Sequence, residues 1–128
     1  MRVLLDTHTL LWWLNKSELL SVSARKTIAH SNNEILVSSV CAWEVATKVR
    51  LGRLPGGVEL AQDFYGYIKR ARFEQLPITI EHAVRAGLLP GLHKDPFDRM
   101  LVAQSQAENV PIVSNDEQFD LYHVRRIW

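Results

Sequence analysis

The chain has 128 residues, of which 47% are hydrophobic and 23% charged, the balance of a globular protein with a sizeable core rather than of a disordered segment. A formal charge of +1 and a pI near 8.0 are too close to neutral to argue for nucleic acid by themselves, and the lone cysteine, Cys41, excludes an internal disulfide. No apolar run reaches membrane length and Met1–Asp6 carries no secretory h-region, so a reducing, cytoplasmic setting is the expectation.

Taken along the chain, Arg2 to Leu5 reads as a short apolar strand, followed at once by a helical pattern from Thr7 to Asn15. Ser21 or Ser23 is placed to cap a second helix running to about His30. Ile35-Leu36-Val37 is a buried strand and Val40 to Arg50 a helix; the Gly/Pro-rich stretch from Leu51 to Gly57 then reads as a loop. Val58 to Phe73 forms one longer amphipathic helix, with Leu60, Phe64, Tyr67, Ile68 and Ala71 on one side. Leu76-Pro77-Ile78 is a strand that Pro77 confines to a sheet edge or a strand end. Helices from Ile80 to Leu88 and from Pro96 to Glu108 follow, then strands at Val110–Val113 and Val124–Ile127. There is no repeat or linker-like shift, so residues 1–128 are expected to form one α/β domain whose parallel sheet is covered on both faces. Ligand sites in such sheets lie beyond the carboxyl ends of the strands.

That rule gives the acidic residues their meaning. Asp6 directly follows the first strand, and Asp116 follows Val113 through Ser114-Asn115. Asp95 and Asp98 open the Pro96 helix, and Glu44 lies one turn into the helix after the second strand. Each has a structural explanation. Asp6, Asp95 and Asp116 sit where N-caps belong, and Asp98 would suit the positive end of a helix dipole. Capping leaves one carboxylate oxygen for a cation. Glu44 is flanked by Val40, Cys41, Ala42, Trp43, Val45 and Val49, so it must be paired or coordinated; the pairing alternative is an i,i+4 bridge to Lys48, worth about 0.2–0.5 kcal/mol. Converging carboxylates repel one another unless a cation is present, and the hard cation they bind through oxygen is Mg²⁺, with Mn²⁺ as the alternative. Such a centre suits phosphodiester cleavage by metal-activated water.

The segments Val3-Leu4-Leu5-Asp6-Thr7-His8, Ser38-Ser39-Val40-Cys41-Ala42-Trp43-Glu44-Val45, Asp95-Pro96-Phe97-Asp98-Arg99-Met100-Leu101-Val102-Ala103-Gln104 and Val113-Ser114-Asn115-Asp116 together resemble the PIN-domain nucleases, in particular the VapC-type toxins of toxin–antitoxin pairs. The resemblance implies an α/β/α sandwich in which Asp6, Glu44, Asp98 and Asp116 bind Mg²⁺ and cleave single-stranded regions of RNA. It also implies supporting roles for Asp95 and for Ser114, which stands where the family often has Thr. The implied partners are RNA, a small antitoxin whose C-terminal segment enters the active-site groove, and a second copy of the chain as a homodimer; no membrane is implied. Lys48, Arg50, Arg53, Lys94 and Arg99 are candidates for phosphate contacts. Trp12, Trp13, Trp43 and Trp128 read as core or interface residues rather than base-stacking platforms, and the five histidines as surface or structural.

Two other readings remain at this point. Asp6-Thr7-His8-Thr9 begins like the nucleophile motif of haloacid-dehalogenase-type phosphatases, although His8 stands where their second Asp belongs. The chain is otherwise a non-catalytic protein-binding module whose acids are only caps.

Overall fold

The computed structural model describes residues 1–91 and 94–128, so His93 lies outside the described residues. Five strands form one all-parallel sheet: β1 (Arg2–Leu5), β2 (Glu34–Ser38), β3 (Glu74–Leu76), β4 (Ile112–Val113) and β5 (Arg126–Ile127), in the order β3-β2-β1-β4-β5. In register, Leu4 sits between Leu36 of β2 and Ile112 of β4, and Val113 lies between Leu5 and Ile127. Val3, Leu4 and Leu5 are all fully buried although consecutive side chains point to opposite faces, so helices cover the sheet on both sides. This is the expected α/β/α arrangement.

Among the described residues seven helices connect the strands: α1 (Thr7–Leu14), α2 (Val22–Ala29), α3 (Ser39–Arg50), α4 (Val58–Gln62), α5 (Phe64–Arg70), α6 (Ile80–Leu88) and α7 (Pro96–Glu108). Local hydrogen-bonding chemistry sets most of their starts. Ser21 rather than Ser23 caps α2, accepting from the Ala24 N–H at 3.0 Å, and Ser38 ends β2 while capping α3. Thr79 and His82 form a reciprocal capping box on α6. Asn109, in the left-handed region at φ 53°, closes α7 and turns the chain into β4.

The expected long helix over 58–73 is two helices. Asp63 breaks it at φ −148° and ψ 55°, and its carboxylate accepts from the Gly66 N–H at 3.2 Å to start α5. Apolar periodicity survives the break, with Leu60 and Ile68 buried on either side of it, and it therefore cannot report the interruption. β3 is an edge strand, but it covers Glu74–Leu76 and shares only Leu76 with the expected 76–78 strand; Pro77, with no N–H to give the ladder, follows its end.

The connections fix where a site must lie. From β1 the chain steps outward through β2 to β3 on one side, and through β4 to β5 on the other. The direction reverses between β1 and β4, and a crevice opens beyond the carboxyl ends of those two strands.

Candidate active site

Asp6 leaves β1 in extended conformation and caps α1, its Oδ1 accepting from the Thr9 N–H at 2.9 Å while Oδ2 accepts from the Ser114 hydroxyl. Burial pushes its pKa up, and the hydrogen bonds from Ser114 and Thr9 oppose that rise. The Thr9 hydroxyl donates to the Val113 carbonyl at 2.8 Å, which ties the first turn of α1 to β4. Ser114, fully buried, also accepts from the Asp116 N–H at 3.0 Å. One hydroxyl thus links the acid after β1 to the acid after β4. Asp116 in turn caps the short 3-10 turn Glu117–Leu121 through the Gln118 N–H at 2.9 Å.

Glu44 is buried, 3% exposed, with both oxygens occupied. Oε1 accepts from the Thr7 hydroxyl at 2.6 Å and Oε2 pairs with the Lys48 ammonium one turn along α3. Burial works to lower the Lys48 pKa, but the Glu44 bond and the charges of Glu44, Asp95 and Asp98 outweigh it and the net direction is up. The i,i+4 pairing and a place in the acidic cluster therefore hold together for Glu44.

Asp95 caps α7, its Oδ1 accepting from the N–H groups of Phe97 at 2.9 Å and Asp98 at 3.4 Å. Asp98, in the first turn, is pushed up to about 8, first by burial and then by the negative charges of Asp95, Asp6, Glu44 and Asp116. All four other acids act on this one carboxylate, which places Asp98 at the electrostatic centre of the group.

These residues line one cleft of about 660 Å³, together with Thr7, His8, Trp12, Lys48, Asn115 and Glu117. Six carboxylates and one ammonium face that space, an imbalance that a cation would relieve. Among the described residues no three His, Cys, Asp or Glu side chains form a ready-made ligand group. Mg²⁺ is held by one or two carboxylates and keeps several waters, so an open, all-oxygen donor set fits it better than it fits a zinc-type cage.

All six expected acid and hydroxyl positions meet here: Asp6, Glu44, Asp98 and Asp116 line the cleft with Asp95, and Ser114 lies beneath it. The basic candidates divide. Lys48 lines the cleft, whereas the Arg99 guanidinium donates to the carbonyls of Ala86, at 3.1 Å, and Leu89, joining α7 to the end of α6. Arg50, Arg53 and Lys94 are exposed. Trp12, Trp13 and Trp128 pack partly against the core, but Trp43 is 60% exposed, its ring edge-on to Phe97 at 5.0 Å. His82 is buried in its capping box, while His8 faces the cleft. Sequence reasoning missed Thr7, His8 and Trp12 as cleft residues. Their signal was position: the first turn of a helix that starts at Asp6, with His8 and Trp12 sharing a face at i,i+4.

Residues 3–124 match the PIN-domain family. Ribonuclease VapC22 from Mycobacterium tuberculosis is 26% identical over 117 residues, covering 91% of this chain and 88% of its own length. VapBC2 from Rickettsia felis, solved bound to a DNA fragment from its promoter, shares the fold with a TM-score of 0.70 at 19% identity over 98% of this chain and 97% of that one. A toxin–antitoxin complex from Klebsiella pneumoniae shares it with a TM-score of 0.61 at 15% identity, over 91% and 88%. The family match favours neither the phosphatase nor the non-catalytic reading.

Proposed function

The chain belongs to the PIN-domain family, and from that premise we propose that it is a Mg²⁺-dependent ribonuclease serving as the toxin of a toxin–antitoxin pair. The observation that carries this reading is the convergence of Asp6, Glu44, Asp95, Asp98 and Asp116, from four separated stretches of chain, on one cleft at the sheet's switch point. The ribonuclease so named among its relatives supports the choice of substrate.

Bound Mg²⁺ would offset charge developing on the scissile phosphate and make a water acidic enough to attack at neutral pH. Asp6, Asp98 and Asp116 are the residues to hold it, and Mn²⁺ is the alternative ion. Thr7 and Lys48 occupy the two Glu44 oxygens and orient the side chain at the cleft wall. The Ser114 hydroxyl leaves Asp6 in one orientation. Asp95 adds negative charge beside Asp98 while holding the first turn of α7.

A cytoplasmic setting agrees with the buried free thiol of Cys41 and with the absence, among the described residues, of any helix long and apolar enough to cross a membrane. The toxin–antitoxin complex among the solved structures supports a small antitoxin as partner. Homodimer formation is supported by Ile80, Val84 and Leu88, an i,i+4,i+8 stripe on α6 that is 84%, 55% and 79% exposed.

Purified free of antitoxin, the protein should cleave single-stranded RNA with Mg²⁺, lose cleavage in EDTA and regain it when Mg²⁺ is restored. Asp6→Asn and Asp98→Asn should each lower the rate at least about 100-fold with unchanged circular dichroism. RNA cleavage indifferent to EDTA and to both substitutions would end the proposal.

A further inference from the structure

Helix α1 starts at the acidic floor, since Asp6 caps it and Thr7 bonds Glu44. Its next cleft-facing residues are His8, in the first turn, and Trp12, four residues on along the same helical face and so about 6 Å further along the axis. Their rings meet at 5.9 Å with a 48° tilt, and Trp12 also meets the Trp128 ring at 5.8 Å and 55°. Trp12 and Trp128 are both half-buried against the core, which fixes the indole while leaving part of it in the cleft. The cleft thus has a carboxylate floor and a braced aromatic wall rising from it.

The two surfaces suit different parts of one nucleotide. The acids repel a bare phosphate and accept it only through a cation. An aromatic wall has no such restriction, because every base presents a π-face that stacks on an indole without regard to sequence. A base inside a duplex has both faces covered by its neighbours, whereas an unpaired base is free to turn out onto a side chain. From this arrangement, and resting on the ribonuclease reading above, we infer that Trp12, with His8 beside it, is a stacking platform for an unpaired nucleobase next to the scissile phosphate. The platform makes single-strandedness at that nucleotide a condition of binding and leaves its identity open. Trp12 is on this account a binding residue as well as a packing one.

A bland alternative gives Trp12 only the task of seating α1 against Trp128. A thermodynamic cycle separates the two. The probe is a single-stranded RNA oligonucleotide of mixed sequence, with its duplex and a set carrying one abasic nucleotide at successive positions. Affinity is read by fluorescence anisotropy on the non-cleaving Asp98→Asn protein in Mg²⁺. Adding Trp12→Ala should weaken binding about 10- to 100-fold, while Trp12→Phe, which keeps an aromatic against Trp128, should retain most of the affinity. One abasic position should cost the parent protein the same factor and cost the Trp12→Ala protein nothing more. The duplex should bind weakly to all of them. Equal affinity of the Trp12→Ala and parent proteins, or losses from the indole and from the base that simply add, would overturn the inference. Because the cycle reads binding alone, wild-type protein that cuts no RNA while the cycle shows coupling refutes the enzyme and leaves the platform standing. Cleavage without coupling refutes only the platform.

Discussion

Asp98 is part-buried among the negative charges of Asp95, Asp6, Glu44 and Asp116, and its ionisation is linked to stability. Its carboxyl is raised from the usual 3.8 to about 8 in the folded chain, mainly by burial and then by its acidic neighbours. A carboxyl with a raised folded pKa contributes stability that is whole below about pH 4 and is lost as pH climbs toward 8. Metal-free protein should therefore melt lower at pH 8 than at pH 5. Asp98→Asn should raise the pH 8 melting temperature by the equivalent of at least about 1 kcal/mol, one pKa unit's worth, and gain little at pH 4. Added Mg²⁺ should stabilise the wild type at pH 8 more than it stabilises Asp98→Asn. Scanning calorimetry in EDTA and in Mg²⁺ at the two pH values checks both; a pH-independent effect of the substitution would contradict the electrostatic account.

Among the elements, the helix starts carry two tasks at once. Asp6, Asp95 and Asp116 each give a carboxylate oxygen to a backbone N–H, so the bonds that begin α1, α7 and the 3-10 turn also aim acids at the cleft. Capping and charge can be separated at Asp95. Asp95→Asn keeps an acceptor for Phe97 and should leave stability nearly unchanged, whereas Asp95→Ala should cost about 1 kcal/mol in urea unfolding. Equal losses for the two would mean that the negative charge, rather than the cap, holds α7. In the fold each of these three acids both caps a helical turn and lines the cleft.

For the molecule as a whole, β1 is the strand on which the cleft depends. It lies between β2 and β4, it delivers Asp6, and every apolar side chain it carries is fully buried. Leu4→Ala should destabilise by about 2–5 kcal/mol, since a central position in a covered sheet has little freedom to collapse around the lost volume. Chemical denaturation of the variant measures this directly. A loss below about 1 kcal/mol would mean that the sheet is loosely packed there. Cleavage at low temperature, where the variant stays folded, should fall less than the loss in stability suggests, because Leu4 supports the strand and does not face the cleft.

Local pattern was enough to read the strand and helix alternation and to mark Asp6 and Asp95 as candidate caps, because each depends on neighbours within four residues. It left Ser21 and Ser23 both open for α2 and put the third strand at 76–78, where β3 is Glu74–Leu76. The same pattern placed Asp6 and Asp116 just after strands, whose ends a parallel sheet collects along one edge, and Glu44, Asp95 and Asp98 at or near helix starts. It could not show the break at Asp63, where a side chain starts a new helix without disturbing the apolar period. Nor could it settle Glu44 or Trp12. Whether Glu44 binds Lys48 or faces the cleft, and whether Trp12 is core or wall, depend on Thr7, Asp98 and Trp128, which are brought alongside only by the packing of α1 and α3 around the sheet. Residue type and spacing determined which groups could do the chemistry. Tertiary structure decided which of them share a dielectric and a cavity, because charge repulsion and aromatic contact act over a few ångströms of space between residues far apart along the chain.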